Sequence, residues 1–453
     1  MYLDCYEEVR HLTKELVSIP SIVREPQGET NCARYIYEYY MGLDYFQRHP
    51  EQARLIQTEN DFVERHSAYA YVKGTKGTSS RTVILIGHID TVGVDDYGVF
   101  RDFAFDPDHL PEKLLELDIG EEVRADIASG EYMFGRGALD MKSGVAGHMY
   151  LIKYFSEHPE ELDGNLIAYA ECDEEDNSHG ILTGLKEFKR LKEKEGFDYI
   201  ACINADYSTG YNLADINRYI YFGSIGKLLP SFYVRGKETH VGQAYGGLDP
   251  NLILSDLTRL MELNTDLCDE AQGEVTVPPI SLKQADFKEG YTVQTALAGY
   301  AYYNFFTHSL SPVDVMAVSR QKAVEAFGNV IRHVNASYRR YCEKSHVDYE
   351  PLPWKSRVYT WEEYCDYLER RRGPEFREHI FRFAQQLNAD EPALDLRLFS
   401  VRVIEEACRW DEDKSPMIVV FFGSIFSARI EMTGKTEKEK ELLAAVERAV
   451  QTV

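Results

Sequence analysis

Thr82-Val83-Ile84-Leu85-Ile86-Gly87-His88-Ile89-Asp90-Thr91-Val92 opens as a short apolar run and stops abruptly at a histidine and a carboxylate. The run at 82–87 is continuous rather than alternating and is rich in β-branched residues, which suits a strand buried on both faces. Similar runs follow at 165–170 and 198–203, separated by a helical pattern at about 180–194. Upstream, 4–18 and 30–46 carry apolar residues at helical spacing, and 67–73 alternates like a strand. Strands alternating with helices predict a mostly parallel, three-layer α/β/α domain.

The chemistry gathers where these strands end. The first ends in Gly87-His88-Ile89-Asp90, the second in Glu171-Cys172-Asp173-Glu174-Glu175-Asp176 and the third in Asn204-Ala205-Asp206. A glycine loop, Gly135-Arg136-Gly137-Ala138-Leu139-Asp140-Met141-Lys142-Ser143-Gly144, leads into a helix at about 145–156. In open α/β sheets, ligands bind beyond the carboxyl ends of the strands, so these segments are expected to meet at one crevice. Acids crowded there repel one another unless a cation neutralises them. Imidazole with carboxylates suits zinc, with cobalt or manganese possible, and makes His88, Asp140, Asp206 and one of the pair Glu174-Glu175 the candidate ligands. Asp90, two residues after His88, could hold the imidazole in orientation. In the pair Glu174-Glu175, one carboxylate could bind metal while its neighbour stays free as general base for a metal-activated water.

Each signal alone has an ordinary explanation: a loop hydrogen bond, a solvated acidic pair, a tight turn. Their ordered recurrence at strand ends and helix starts favours the metal site. The glycine loop lacks the third glycine of a dinucleotide fingerprint, and Gly74-Thr75-Lys76-Gly77-Thr78-Ser79 is not a phosphate-binding loop.

The chain has 453 residues and suggests two domains. A formal net charge of −25 argues against nucleic acid and against an anionic membrane surface. No apolar run approaches the ~20 residues that span a bilayer, and the first residues lack the basic start of a signal peptide. Eight scattered cysteines form no Cys-x-x-Cys pair, which points to a reducing cytoplasm.

After residue 220 the pattern changes. Strand-like text at 220–235 and 291–306, a helix at about 251–263 and a long one at about 312–344, opened by Ser311-Pro312, read as an inserted α+β domain at 223–345. The polar stretch Tyr349-Glu350-Pro351-Leu352-Pro353 reads as a linker. Beyond it, helices at about 361–387, 400–409 and 436–450 and an apolar run at 417–422 return to α/β character. Residues 1–222 and 346–453 are therefore assigned to one discontinuous catalytic domain.

These motifs resemble the aminoacylase/carboxypeptidase family of co-catalytic zinc hydrolases, which includes acetylornithine deacetylase and succinyl-diaminopimelate desuccinylase. His88-Ile89-Asp90-Thr91-Val92 is similar to its first metal motif, the ten residues 135–144 to its second, and Asp173-Glu174-Glu175 to its third. Gly226-Lys227-Leu228-Leu229-Pro230 and Tyr303-Asn304-Phe305-Phe306-Thr307 look most like its arginine-utilisation branch. The resemblance implies that His88, Asp140 and Asp206 hold one metal, that Asp140 bridges to a second held by Glu175, that Asp90 orients His88, and that Glu174 is the base. It implies hydrolysis of an N-acyl amino acid or small peptide, and an inserted domain acting as a lid and homodimer interface. Val234-Arg235-Gly236-Lys237-Glu238-Thr239-His240 is similar to the lid segment whose histidine binds the substrate carbonyl oxygen, which implies that role for His240. One departure stands out. The family draws a final histidine ligand from a late loop, whereas the last histidine here is His379 and the segment 422–430 has none. His179 or water could substitute, or Arg429 could bring positive charge there. The alternative reading is a catalytically impaired relative that binds metal or a metabolite.

Overall fold

The computed structural model describes residues 4–451 apart from 211, 213, 272 and 425. The chain forms two compact units. The first is Met1–Ile220 joined by Gly434–Val453, and the second is Tyr221–Thr433.

Unit 1 is built on a five-stranded sheet. Its strands are β1 (Ala53–Gln57), β2 (His66–Lys73), β3 (Arg81–His88), β4 (Asn165–Glu171) and β5 (Asp198–Asn204), in the order β1-β2-β4-β3-β5. β4, β3 and β5 run parallel, and β2 and β1 add antiparallel at one side. The parallel character expected from the sequence thus holds for the three strands that carry the site. Strand periodicity sorts side chains to two faces: Ala68, Ala70 and Val72 of β2 enter one core with the helices Tyr6–Val17, Gly28–Met41 and Ser143–Glu157. Tyr69 and Tyr71 enter the other, with Phe188 and Leu191 of helix His179–Glu195. The result is the three-layer α/β/α arrangement. β5 is the outermost strand, with Ile203 46% exposed.

Unit 2 contains a mixed sheet in which strands Ile280–Asp286, Ala298–Thr307, Pro230–Arg235, Met417–Phe422 and Val358–Thr360 lie side by side. Its long helix, Pro312–Ser345, starts at the expected Ser311-Pro312, where Ser311 and Asp314 form a reciprocal cap. The single helix expected over 361–387 is two, Trp361–Arg372 and Glu375–Asp390, broken at Gly373, whose φ of 87° ends the first before Pro374.

The assignment of 346–453 to the catalytic domain is corrected for most of its length. Strand Met417–Phe422 pairs antiparallel with Pro230–Arg235, Val419 opposite Tyr233, and parallel with Val358–Thr360. Residues 346–433 therefore belong with 221–345 in unit 2. The physical reason is that an apolar run reports burial but not which sheet buries it. Ile418 and Val420 pack into one core of unit 2, and Met417, Val419 and Phe421 into the other. Only the final stretch returns to unit 1, where Lys438 of helix Glu437–Val450 lies 2.6 Å from Asp198 and Glu441 meets Arg81. Among the described residues, no helix is long and apolar enough to cross a membrane.

Candidate active site

The parallel strands of unit 1 deliver their C-terminal residues to one place. His88, the last residue of β3, is 2% exposed. Its Nδ1 lies 3.0 Å from the carbonyl oxygen of Asp90. A carbonyl oxygen only accepts, so Nδ1 carries the proton. Nε2 faces Asp140 Oδ1 at 2.9 Å. Two acceptors meet there unless a proton or a cation intervenes.

Asp90 is fully buried. Its expected role as the imidazole's carboxylate partner is taken by its own backbone oxygen, with the carboxylate Oδ1 3.7 Å from Nδ1. The other oxygen, Oδ2, accepts the Glu175 N–H at 2.9 Å and so ties the β3 end to the Glu174–Glu175 turn.

The glycine loop brings Asp140. Gly137 turns at φ 81°, a left-handed conformation that suits glycine. Gly144 starts the following helix where a Cβ would stand 2.3 Å from the Ala205 oxygen, so its bareness lets the segment before Asp206 pass. The Asp140–Met141 peptide is cis. Lys142 is fully buried and donates to the carbonyls of Leu16 and Ile19 at 2.9 and 2.7 Å, anchoring the loop to the end of the first helix.

Ligand atoms of His88, Asp140 and Glu175 lie within 4.8 Å of one another. Asp206 is exposed, stands outside that trio and caps the Tyr207 N–H at 2.8 Å, yet its charge reaches both His88 and Glu174. Burial alone would push the His88 imidazole down. The charges of Asp90, Glu174, Asp140 and Asp206 outweigh it and raise its pKa. Burial, then Asp140, lifts Glu175 to about 6. Glu174 is reached by water, but the protein packed around it strips hydration and raises its pKa, aided by Asp90, Asp206 and Asp140 and opposed by His88. Glu171 rises to about 8 through burial, Glu174 and Asp90. Asp90 Oδ1 and Glu171 Oε2 are buried without a hydrogen-bond partner.

Facing acceptors, orphaned carboxylate oxygens and mutually raised acids all signal a place short of positive charge. The donor set, one imidazole among carboxylates, fits a divalent metal ion.

His179, a possible substitute ligand, does not join the trio of His88, Asp140 and Glu175: its Nδ1 lies 2.6 Å from Asp173 Oδ2, and it clusters with Asp61 and Asp173 instead. In unit 2, His240 is exposed and its Nδ1 accepts from the Gly242 N–H at 3.0 Å, which leaves the ring proton on Nε2. Arg429, also in unit 2, pairs with Glu431 at 2.9 Å. Sequence reasoning missed Glu29 and Arg65, both about 1% exposed, which lie against Asp173. Glu64-Arg65-His66 reads as an ordinary polar stretch, and nothing local marks its burial.

This fold with this site defines a metallohydrolase. A profile of peptidase family M20/M25/M40 matches residues 84–353, and the chain belongs to that family. Protein RocB of Bacillus subtilis (strain 168) is 37% identical over 416 residues, covering 92% of this chain and 72% of RocB. The uncharacterised protein YqjN of the same organism is 32% identical over 419 residues, covering 92% and 74%. Succinyl-diaminopimelate desuccinylase of Cupriavidus pinatubonensis is more distant, 26% identical over 239 residues, covering 52% and 54%. Within the family the chain falls in the RocB-like branch. Among solved structures, the dipeptidase Dug1p of Saccharomyces cerevisiae is similar at 12% identity and a TM-score of 0.49, over 72% of this chain and 75% of that one.

Proposed function

We propose that this protein is a zinc-dependent amidohydrolase that cleaves the amide bond of an N-acyl amino acid or small peptide. The observation that carries the reading is His88 Nε2 facing Asp140 Oδ1 beside Glu175, with Glu174 next to them. His88, Asp140, Asp206 and Glu175 would hold the metal, one ion or two. Zinc suits the donors, and cobalt or manganese would be accepted. When bound, such an ion lowers the pKa of water to about 7 and polarises a carbonyl.

The protein's own groups do the rest. Asp90 fixes His88 through its backbone oxygen and the Glu174–Glu175 turn through its carboxylate. Glu174 takes a proton from the attacking water as the C–O bond forms, then gives it to the amine nitrogen as the C–N bond breaks. His240 is assigned as a donor to the substrate carbonyl oxygen, and the inserted unit as lid and homodimer interface, on the resemblance alone. A cytoplasmic location is read from cysteine usage, since all eight cysteines are free.

Glu174→Ala should keep metal content and thermal midpoint while kcat falls by roughly 10²–10⁴-fold. A variant as active as the parent on a responsive substrate would remove the assigned mechanism. The second reading, a non-catalytic binding relative, is favoured by the absence of a histidine after His379. It predicts no turnover by the metal-loaded parent across a broad panel of N-acyl amino acids and dipeptides.

A further inference from the structure

Directly before Glu174, Asp173 is the centre of a closed loop. It adopts a left-handed φ of 66°. Its carbonyl oxygen accepts the Ser178 N–H at 2.7 Å, and its Oδ2 accepts the His179 N–H at 3.0 Å and meets the His179 ring at 2.6 Å. Its own N–H donates to Glu29 Oε1 at 2.8 Å. Glu174 and Glu175 project from this loop, so the position of Asp173 sets theirs.

One guanidinium holds the arrangement from below. Arg65 leads into β2 and is 1% exposed. Its Nε and Nη2 grip Asp61 Oδ2 and Oδ1 at 2.7 and 3.1 Å. Its Nη1 donates to Glu29 Oε2 at 2.9 Å and lies 2.9 Å from Asp173 Oδ1, there as an ion pair without hydrogen-bond alignment. Asp61, Asp173 and His179 also cluster as metal ligands would, but Arg65 already supplies their cation. A buried ion cluster is a weak source of stability, since apolar packing often serves as well. What it does is fix geometry: a planar fork can address three carboxylates at once, and a lysine ammonium cannot.

We propose that Arg65 is a positioning residue for the reaction, holding Asp173 and Glu29 so that the turn bearing Glu174 and Glu175 is set before metal and substrate arrive. The assignment rests on the function proposed above, but part of its test does not. The full-length Arg65→Lys variant keeps the charge and loses the fork. Zinc affinity by chelator competition should weaken about 10–100-fold, as for other groups that orient metal ligands. Amide hydrogen exchange should quicken at 173–179 and in the segments around Glu29 and Asp61 that share the guanidinium, and not elsewhere in unit 1. On a responsive substrate, kcat should fall by a similar factor while KM stays within about threefold.

Zinc affinity, kcat and exchange at 173–179 all within twofold of the parent overturn the proposal. So does faster exchange spread evenly over unit 1, which marks a merely structural role. If Arg65→Lys does not fold, Asp61→Asn loosens the same fork at its far end and is expected to shift the same readouts less, with the same outcomes deciding. If the parent turns over nothing, the proposed function fails, while zinc affinity and exchange still decide the role of Arg65.

Discussion

Each unit buries a knot of charge, and the two are unbalanced in opposite senses. In the knot around His88 of unit 1 the groups left over are acceptors: Asp90 Oδ1 and Glu171 Oε2 have no hydrogen-bond partner. In the knot around Asp411 of unit 2 they are donors. Arg235 and Arg357 both turn to Asp411, at 3.3 and 3.6 Å, and Tyr364 donates to it at 3.1 Å, leaving Arg235 Nε and Nη1 and Arg357 Nη2 without hydrogen-bond partners, although Arg357 Nη2 also pairs with Asp413 at 3.2 Å. The surplus of acceptors lies at the ends of parallel strands and next to exposed Glu174, where an ion and a substrate can reach it. The surplus of donors lies within a clamp that also ties Arg235 to the carbonyls of Asp413 and Ser415, at 2.6 and 3.2 Å. An unsatisfied buried group is a functional sign when its neighbours are accessible, and a structural cost when they are not.

Asp411→Ala attacks this contrast hardest. It leaves two guanidiniums facing each other in a buried place and should cost about 3–5 kcal/mol of stability in chemical denaturation. Zinc affinity should not change. A parallel loss of zinc binding would erase the division into a structural and a functional knot. Asp90→Asn tests the other side. It should weaken zinc binding about 10–100-fold, or about 1.4–2.7 kcal/mol, by slackening the link between His88 and the Glu175 N–H. Full zinc affinity in that variant would mean that the orphaned oxygen belongs to packing after all.

The smallest effect concerns a buried group with no role in either knot. Burial lowers the pKa of His148, 6% exposed on helix Ser143–Glu157, from 6.5 to about 4. Between those values the unfolded chain binds the proton and the folded one does not, so stability falls as pH drops from 6.5 towards 4. Going from pH 7 to 5.5 should cost about 1 kcal/mol from this group, measured by denaturant titration at each pH. His148→Gln should flatten that part of the profile. An unchanged slope would place the acid sensitivity of unit 1 in its carboxylates instead.

What could be read in advance was what is local. The runs leading to His88, Glu171 and Asn204 are strands, as their short β-branched runs lead one to expect, and the ligand candidates follow them directly. Only the first two are buried: the third lies at the sheet edge, with Cys202 to Asn204 exposed. The break at Gly373-Pro374 was also visible in the letters, but the helical periodicity on both sides masked it. Partnership was not legible. Met417–Phe422 has the composition of β3 and joins another sheet, since pairing is settled by the whole chain. Arg65 was invisible for the same reason: its three acids lie 36, 4 and 108 positions away in sequence, and no window spans them.

β5 ends shortly before Asp206, one of the candidate ligands, and is paired on one side only among the described residues, with Cys202 and Ile203 exposed. An open strand edge templates pairing with another chain, but the protein packed around Cys202 pushes its thiol pKa up to about 11, so it offers little thiolate to lock two molecules together. In concentrated solution, the protein should therefore self-associate without a covalent bond, along the strand that leads to Asp206.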